Sequence, residues 1–151
     1  MDGTQDPDAA RKAWLSVLAK ADSQALRTLW NDAGFAPDHD VLRAPEIGAV
    51  MVRGRAGATG APFNLGEMTV TRASVRLASG AVGHGYVQGR CKDHALTAAL
   101  IDALMQTDRS AFVEAALITP LRDAARARTA SRAAKAAATR VDFFTVARGG
   151  D

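Results

Sequence analysis

The chain has 151 residues and a mass of 15.8 kDa, long enough for one domain to remove about 70% of its unfolded surface from water without disulfide staples. Apolar residues at 48%, charged residues at 23% and a mean hydropathy of −0.06 exclude both a disordered tail and a membrane-embedded chain. The net charge of +3 is unevenly placed: residues 121–151 carry seven Lys/Arg against three Asp, and the preceding 120 residues twelve against thirteen acids.

Asp6-Pro7 opens the first element, because proline suits the first turn of a helix. Trp14, Leu15 and Leu18 follow at helical spacing, which predicts an amphipathic helix over 7–20. Asp22 or Ser23 can cap a second helix carrying Leu26, Leu29 and Trp30, stopped by Gly34, so the two form a helical hairpin. The period then changes. Ile47 to Arg55 alternates as a strand does, and Arg53 to Gly60 is a glycine-punctuated loop. Glu67 to Leu77 is rich in β-branched residues, Ser79-Gly80 signals a turn, and Val82 to Gly89 pairs back as a hairpin. Three or four antiparallel strands are the minimum for a stable sheet with one buried face.

After Arg90 the period returns to 3.6. Asp93 can cap a helix from His94 to about Gln106, with Leu96, Leu100, Ala103 and Leu104 on one face. Its Ile101, Met105 and His94 form a second flank, which predicts cover on two sides. Asp108 can cap a further helix through Leu117, and Pro120 can open a long Ala/Arg helix to Arg140. On that helix Arg122, Arg126, Arg128, Arg132, Lys135 and Arg140 take about half the circumference, and alanine nearly all the rest. Val141 to Val146, holding Phe143 and Phe144, is a short β-prone run. With alanine about a fifth of the chain and aromatics at 5%, much of the interior is expected to be small side chains at close helix contacts. There is no internal repeat or linker. The expectation is one α+β domain over 1–151: an N-terminal helical hairpin, an antiparallel sheet, C-terminal helices and a short terminal strand.

Two segments offer positive charge near free backbone N–H groups. Arg53 and Arg55 flank glycines whose N–H groups can approach an anion. That loop lacks the Gly-Lys-Ser/Thr ending of a phosphate-binding loop and does not lead into a helix, so a connection or a partner-binding loop is the stronger reading. Gly89-Arg-Cys-Lys-Asp-His94 joins a strand to a helix N-terminus, where Arg90, Lys92 and His94 are candidates for holding a phosphate or a partner's carboxylate. The structural alternative is that Arg90 pairs with an internal acid and His94 is a satisfied first-turn residue.

Metal and catalytic readings are weaker. A metal reading would collect Cys91, His94 and His84, perhaps with Glu67 or His39, but Cys91-x-x-His94 at the helix start supplies only two ligands where zinc needs three or four. The single Cys91 excludes an internal disulfide, and no second element demands a thiol enzyme. Glu67 and Asp102 are isolated carboxylates. The expectation is therefore no metal and no self-sufficient catalytic set. The basic C-terminal fifth suggests either an acidic or phosphorylated neighbour or a solvated Ala/Arg helix. A stand-alone anion- or nucleic-acid-binding module is the alternative function, opposed by the absence of interleaved aromatics for base stacking. No N-terminal apolar run of signal-peptide length and no window near 18 uninterrupted apolar residues is present, so the expected compartment is the cytosol.

Five long segments resemble one family. They are Thr71-Arg-Ala-Ser-Val-Arg-Leu77, Gly83-x-x-Tyr86-Val-Gln-Gly-Arg90, Lys92-x-His-Ala95, Ala99-Leu-Ile-Asp-Ala-Leu-Met-Gln106, and Arg140-Val-Asp-Phe-Phe144 with Val146-x-Arg-Gly149. With Arg11-x-x-Trp-x-Ser-Val-Leu-Ala19 and Gly57-x-x-Gly60, they resemble the PhnG family of the bacterial carbon–phosphorus lyase system over nearly the whole chain. The resemblance implies an accessory, scaffolding subunit of a cytosolic complex built with PhnH, PhnI and PhnJ partners, two copies of each. That complex helps convert ATP and an alkylphosphonate to a ribose 1-alkylphosphonate 5-triphosphate with release of adenine. The resemblance places MgATP and an iron–sulfur cluster elsewhere in the complex, with no cofactor on this chain. In this setting Phe143, Phe144, Arg72 and Arg76 become interface candidates. One departure stands out: the family usually has Asp after the Gly-Arg pair, where this chain has Cys91, so a capping carboxylate is missing there.

Overall fold

A computed structural model describes residues 6–55 and 62–149, with side chains described over 6–54 and 65–139. Helix α1 (Pro7–Lys20) starts as the sequence predicts, with the Asp6 side chain accepting from the Asp8 N–H and proline in the first turn. Helix α2 (Ser23–Ala33) is capped by Asp22 and ends on Gly34, whose φ of 72° lies in the left-handed region that glycine tolerates. The hairpin packs inward through Leu18 and Leu26, each 1% exposed.

Strands β1 (His39–Arg55), β2 (Pro62–Leu77) and β3 (Val82–Gln88) form an antiparallel sheet in the order β1-β2-β3. β1 begins well before Ile47, because Val41 and the residues around it pair with the end of β2 although their apolar pattern is irregular. Arg53 to Arg55 belong to β1 rather than to a loop, and 56–61 lie outside the described residues. β3 pairs only with Val70 to Arg76 of β2, so the paired stretch from Gly48 to Arg55 with Pro62 to Val70 is a two-stranded ribbon beyond the third strand, save at Val70 itself.

Helix α3 (Lys92–Leu104) lies across the inner face of the sheet, with α1 and α2 on its other side. Ala95, Ala98, Ala99, Leu100, Ile101, Ala103 and Leu104 are all buried, as a helix covered on two sides requires. The alanines have a definite counterpart. A Cβ on Gly83 would lie 1.9 Å from the Ala99 carbonyl oxygen, and one on Gly85 would lie 2.0 Å from that of Ala95. The Gly83-His-Gly85 pattern on β3 and the Ala95/Ala99/Ala103 row on α3 therefore let helix and strand backbones touch. Larger side chains fill the other side of the core: Leu18, Leu26, Ile101, Leu117 and Ile118 are essentially inaccessible, each worth about 1.5–3 kcal/mol in burial.

The C-terminal third departs from expectation in two ways. The segments expected as separate helices run as one helical rod: α4 (Ser110–Val113), a π-helical turn (Glu114–Ile118) and α5 (Thr119–Gly149). Pro120 does not open a new helix. The wider π turn precedes it, with the Thr119 N–H reaching back to the Glu114 carbonyl, and so accommodates a ring that would crowd an ordinary α turn. The predicted terminal strand at Val141 to Val146 is helical instead. An established alanine-rich helix propagates at little cost through β-prone residues, whereas a strand needs a sheet edge to join. Among the described residues, no helix is long and apolar enough to cross a membrane.

Candidate functional site

The polar centre of the molecule is Asp102, fully buried on α3. Its Oδ1 accepts from Arg11 Nε (3.2 Å) and Trp14 Nε1 (2.8 Å), and its Oδ2 from Arg11 Nη2 (2.8 Å) and the backbone N–H of His84 (2.9 Å). Arg11 and Trp14 are one helical turn apart on α1, so both reach the same carboxylate. One side chain thus ties α1, α3 and β3 together. The bidentate contact holds the Arg11 guanidinium above its ordinary pKa, against the opposing effect of its partial burial. Gln106 completes the tie, donating to the carbonyls of Val82 and Asp102 at 2.8 and 3.0 Å. All four donors to this carboxylate come from the chain's own framework, so it holds structure.

The start of α3 carries the strongest anion-site candidates. Cys91 is the N-cap, with extended φ/ψ of −86° and 106° and no side-chain capping bond. The cap position is therefore two residues earlier than Asp93, which sits in the first turn and meets Arg27 of α2 at 3.0 Å on an exposed surface. Arg90 and Lys92 are exposed beside the helix start, as an anion site requires. His94 is not beside them. It is 4% exposed, and its Nε2 lies 2.8 Å from the Leu18 carbonyl. A carbonyl only accepts, so Nε2 carries the proton and the ring is a neutral donor. Burial pushes its pKa below the ordinary value, with the Leu18 carbonyl and Asp22 pulling weakly the other way. His94 joins α3 to α1 and does not extend the cationic pair. A groove of about 410 Å³ runs along α2 and the start of α3, lined by Arg27, Trp30, Cys91, Asp93, His94 and Thr97 among others.

The remaining candidates are dispersed. Arg72 and Arg76 stand exposed on the outer face of β2, with Arg72 3.9 Å from Glu46 and opposite Tyr86 on β3. Arg53 is exposed on the ribbon; the side chain of Arg55 lies outside the described residues, as do those of Phe143 and Phe144 on α5. His84 bonds Ser74 across the outer face at 2.9 Å, on the opposite side of the sheet from His94. Among the described residues, no three His, Cys, Asp or Glu side chains gather as metal ligands would.

Residues 9–149 match the family model described as phosphonate metabolism protein PhnG. The chain belongs to the PhnG family. It is 42% identical over 155 aligned positions to the protein named alpha-D-ribose 1-methylphosphonate 5-triphosphate synthase subunit PhnG from Rhizobium meliloti (strain 1021), covering 100% of this chain and 99% of the relative. The family-like segments are the ones that the fold consumes. Arg11 and Trp14, Gly83 with the His84 backbone, and Asp102 with Gln106 all meet at the centre. Sequence reasoning missed Asp102 as the hub. Its signal is a single charge among the mostly apolar residues from Ala95 to Leu104 of α3, with Arg and Trp at i and i+3 on α1.

Proposed function

We propose that this chain is an accessory subunit of a synthase that makes ribose 1-methylphosphonate 5-triphosphate in organic phosphonate catabolism. The full-length match to a relative named as a subunit of that synthase carries the reading. The reaction joins a phosphonate oxygen to ribose C1 of ATP as the bond from C1 to adenine breaks, and adenine leaves with that electron pair and takes up a proton. The chain's contribution is scaffolding, because its buried ionisable residues are spent on its own framework: Asp102 is saturated by four donors and His94 by a carbonyl. Arg90 and Lys92 are left as candidates for a phosphate or a carboxylate at a subunit boundary.

In this reading the partners are PhnH, PhnI and PhnJ chains, two copies of each with two of this one, in the cytoplasm. MgATP and an iron–sulfur cluster belong to those partners. A cluster needs several thiolates, and Cys91 is the single cysteine here. Co-expression with the partner genes and purification through a tag on PhnI tests the proposal. This chain is expected in the eluate in stoichiometric amount, and its absence overturns the reading. Alanine at Arg90 and Lys92 is expected to leave assembly intact and lower triphosphate synthesis; loss of assembly instead assigns both to the interface.

A further inference from the structure

Among the described residues Leu121 is the last buried side chain of α5, and every residue from Arg126 to Thr139 is exposed. That stretch is about 21 Å of helix at 1.5 Å per residue. Its charges are not those of an ordinary solvated helix, which mixes signs so that neighbours at i+3 and i+4 attract. Arg128, Arg132 and Lys135 fall at i, i+4 and i+7, a single line about 10 Å long. None has an acid three or four residues away in either direction. Among the described residues, no ion pair joins any of them to a carboxylate. Like charges so spaced repel, which costs helix stability. The two basic residues nearer the core behave differently: Arg122 bonds Glu114 at 3.0 Å, and Arg126 lines the groove between α5 and α1. Behind the cationic line, Ala127, Ala130, Ala134, Ala137 and Ala138 present a face without bulk, which permits close backbone approach.

We propose that α5 from Arg126 to Thr139 docks lengthwise into an acidic groove on a partner protein of the complex, with Arg128, Arg132 and Lys135 meeting its carboxylates. This rests on the chain acting as a subunit, as argued above. Charge complementarity identifies the occupant. Three unpaired cations in a row complement anions at a matching spacing, and the stretch has no aromatic side chain on which nucleic-acid bases would stack.

The test uses the full chain co-expressed with its tagged partners. Wild type, R128E/R132E/K135E, R128Q/R132Q/K135Q and the charge-preserving R128K/R132K/K135R are compared by affinity in rising NaCl. The reversal is expected to weaken association about 100-fold and the glutamine set about 10-fold, with a shallower salt dependence in both. The charge-preserving set is expected to stay within about threefold of wild type. Glutamine is a good helix former, so unchanged helical circular dichroism in that variant separates lost docking from lost folding. Wild-type affinity and salt dependence in both the reversal and glutamine variants overturn the proposal. So does salt-sensitive binding of wild type to a 20-base-pair DNA that these variants lose while keeping wild-type affinity for the partners. Failure of wild type itself to co-purify overturns the subunit reading instead.

Discussion

Asp102→Asn is the sharpest probe of the framework, because it changes one atom at the junction of three elements. The carboxylate accepts two bonds on each oxygen. An amide keeps one oxygen and replaces the other with a second donor. Whichever way it sits, two of the four donors then face an N–H: either Arg11 Nε with Trp14 Nε1, or Arg11 Nη2 with the His84 N–H. A stranded buried donor costs about 1–3 kcal/mol. Breaking a buried ion pair costs about 3–5 kcal/mol in full, but the Arg11 side chain is 34% exposed and can recover water. The expected loss is therefore about 2–4 kcal/mol, or roughly 10 °C in Tm for a domain of this size. Urea unfolding followed by circular dichroism measures it directly. A loss below about 1 kcal/mol with an unchanged m-value would refute the hub. The double variant R11M/D102L tests the reasoning further. A simple ion pair is often replaced by apolar residues at no cost, but here Trp14 Nε1 and the His84 N–H stay orphaned, so the double variant is expected to remain clearly below wild type.

Gly83→Ala and Gly85→Ala drive a methyl group into the α3 backbone at 1.9 and 2.0 Å, and each is expected to cost about 3 kcal/mol or more by chemical denaturation. Gly48→Ala, with nothing within 4 Å, is the matched control and is expected to stay within about 0.5 kcal/mol of wild type. Cys91→Asp restores a capping carboxylate at an N-cap that already has suitable backbone angles; a gain of about 1 kcal/mol is expected by thermal melting, and no gain would refute the capping argument. Burial keeps His94 neutral in the native state, while the unfolded imidazole titrates near its ordinary 6.5. The unfolded chain therefore binds more protons below that value, and stability falls as pH drops from there through the native pKa, by at most about 1.4 kcal/mol per pH unit. The stability difference between wild type and His94→Gln is expected to shrink between about pH 7 and pH 5, and a constant difference would refute the assignment.

What the sequence made legible follows from what sequence order controls. The capped helical hairpin, the β2–β3 hairpin and the two-sided α3 each depend on local spacing, and each stands where it was expected. The misses are long-range or cooperative. Arg11 and Asp102 are 91 residues apart, so nothing local announces their bond. Gly83 and Gly85 read only as part of the strand from Val82 to Gly89 until α3 is laid against them. Arg90, Lys92 and His94 are close along the chain, but a helix points neighbouring residues in different directions, and His94 turns to Leu18, as the alternative of a satisfied first-turn histidine expects. Val141 to Val146 looks β-prone in isolation, yet its conformation is set by the helix that runs into it.

The positions of the exposed segments bear on why such a chain works in company. Arg11, Trp14, His84 and Asp102 lock α1, α3 and β3 into a unit with its polar groups satisfied; no buried side-chain N or O among the described residues lacks a partner. A self-sufficient protein would use its remaining length to cover that unit. Here β1 has no buried residue along its described length, and Ile47, Met51 and Leu65 are 40%, 50% and 62% exposed on the β1–β2 ribbon. Two strands with both faces in water are marginal on their own. Between Leu121 and Thr139, α5 likewise adds helix without adding a buried residue. Among the described residues, β1 and the outer part of α5 are thus exposed surface rather than core. The economy makes sense for a subunit: a rigid centre fixes the angle at which ribbon and helix leave it, so one carboxylate at Asp102 governs the presentation of surfaces far from itself. Loosening that centre by Asp102→Asn at a temperature where the chain stays folded should therefore weaken assembly even though Asp102 meets no partner.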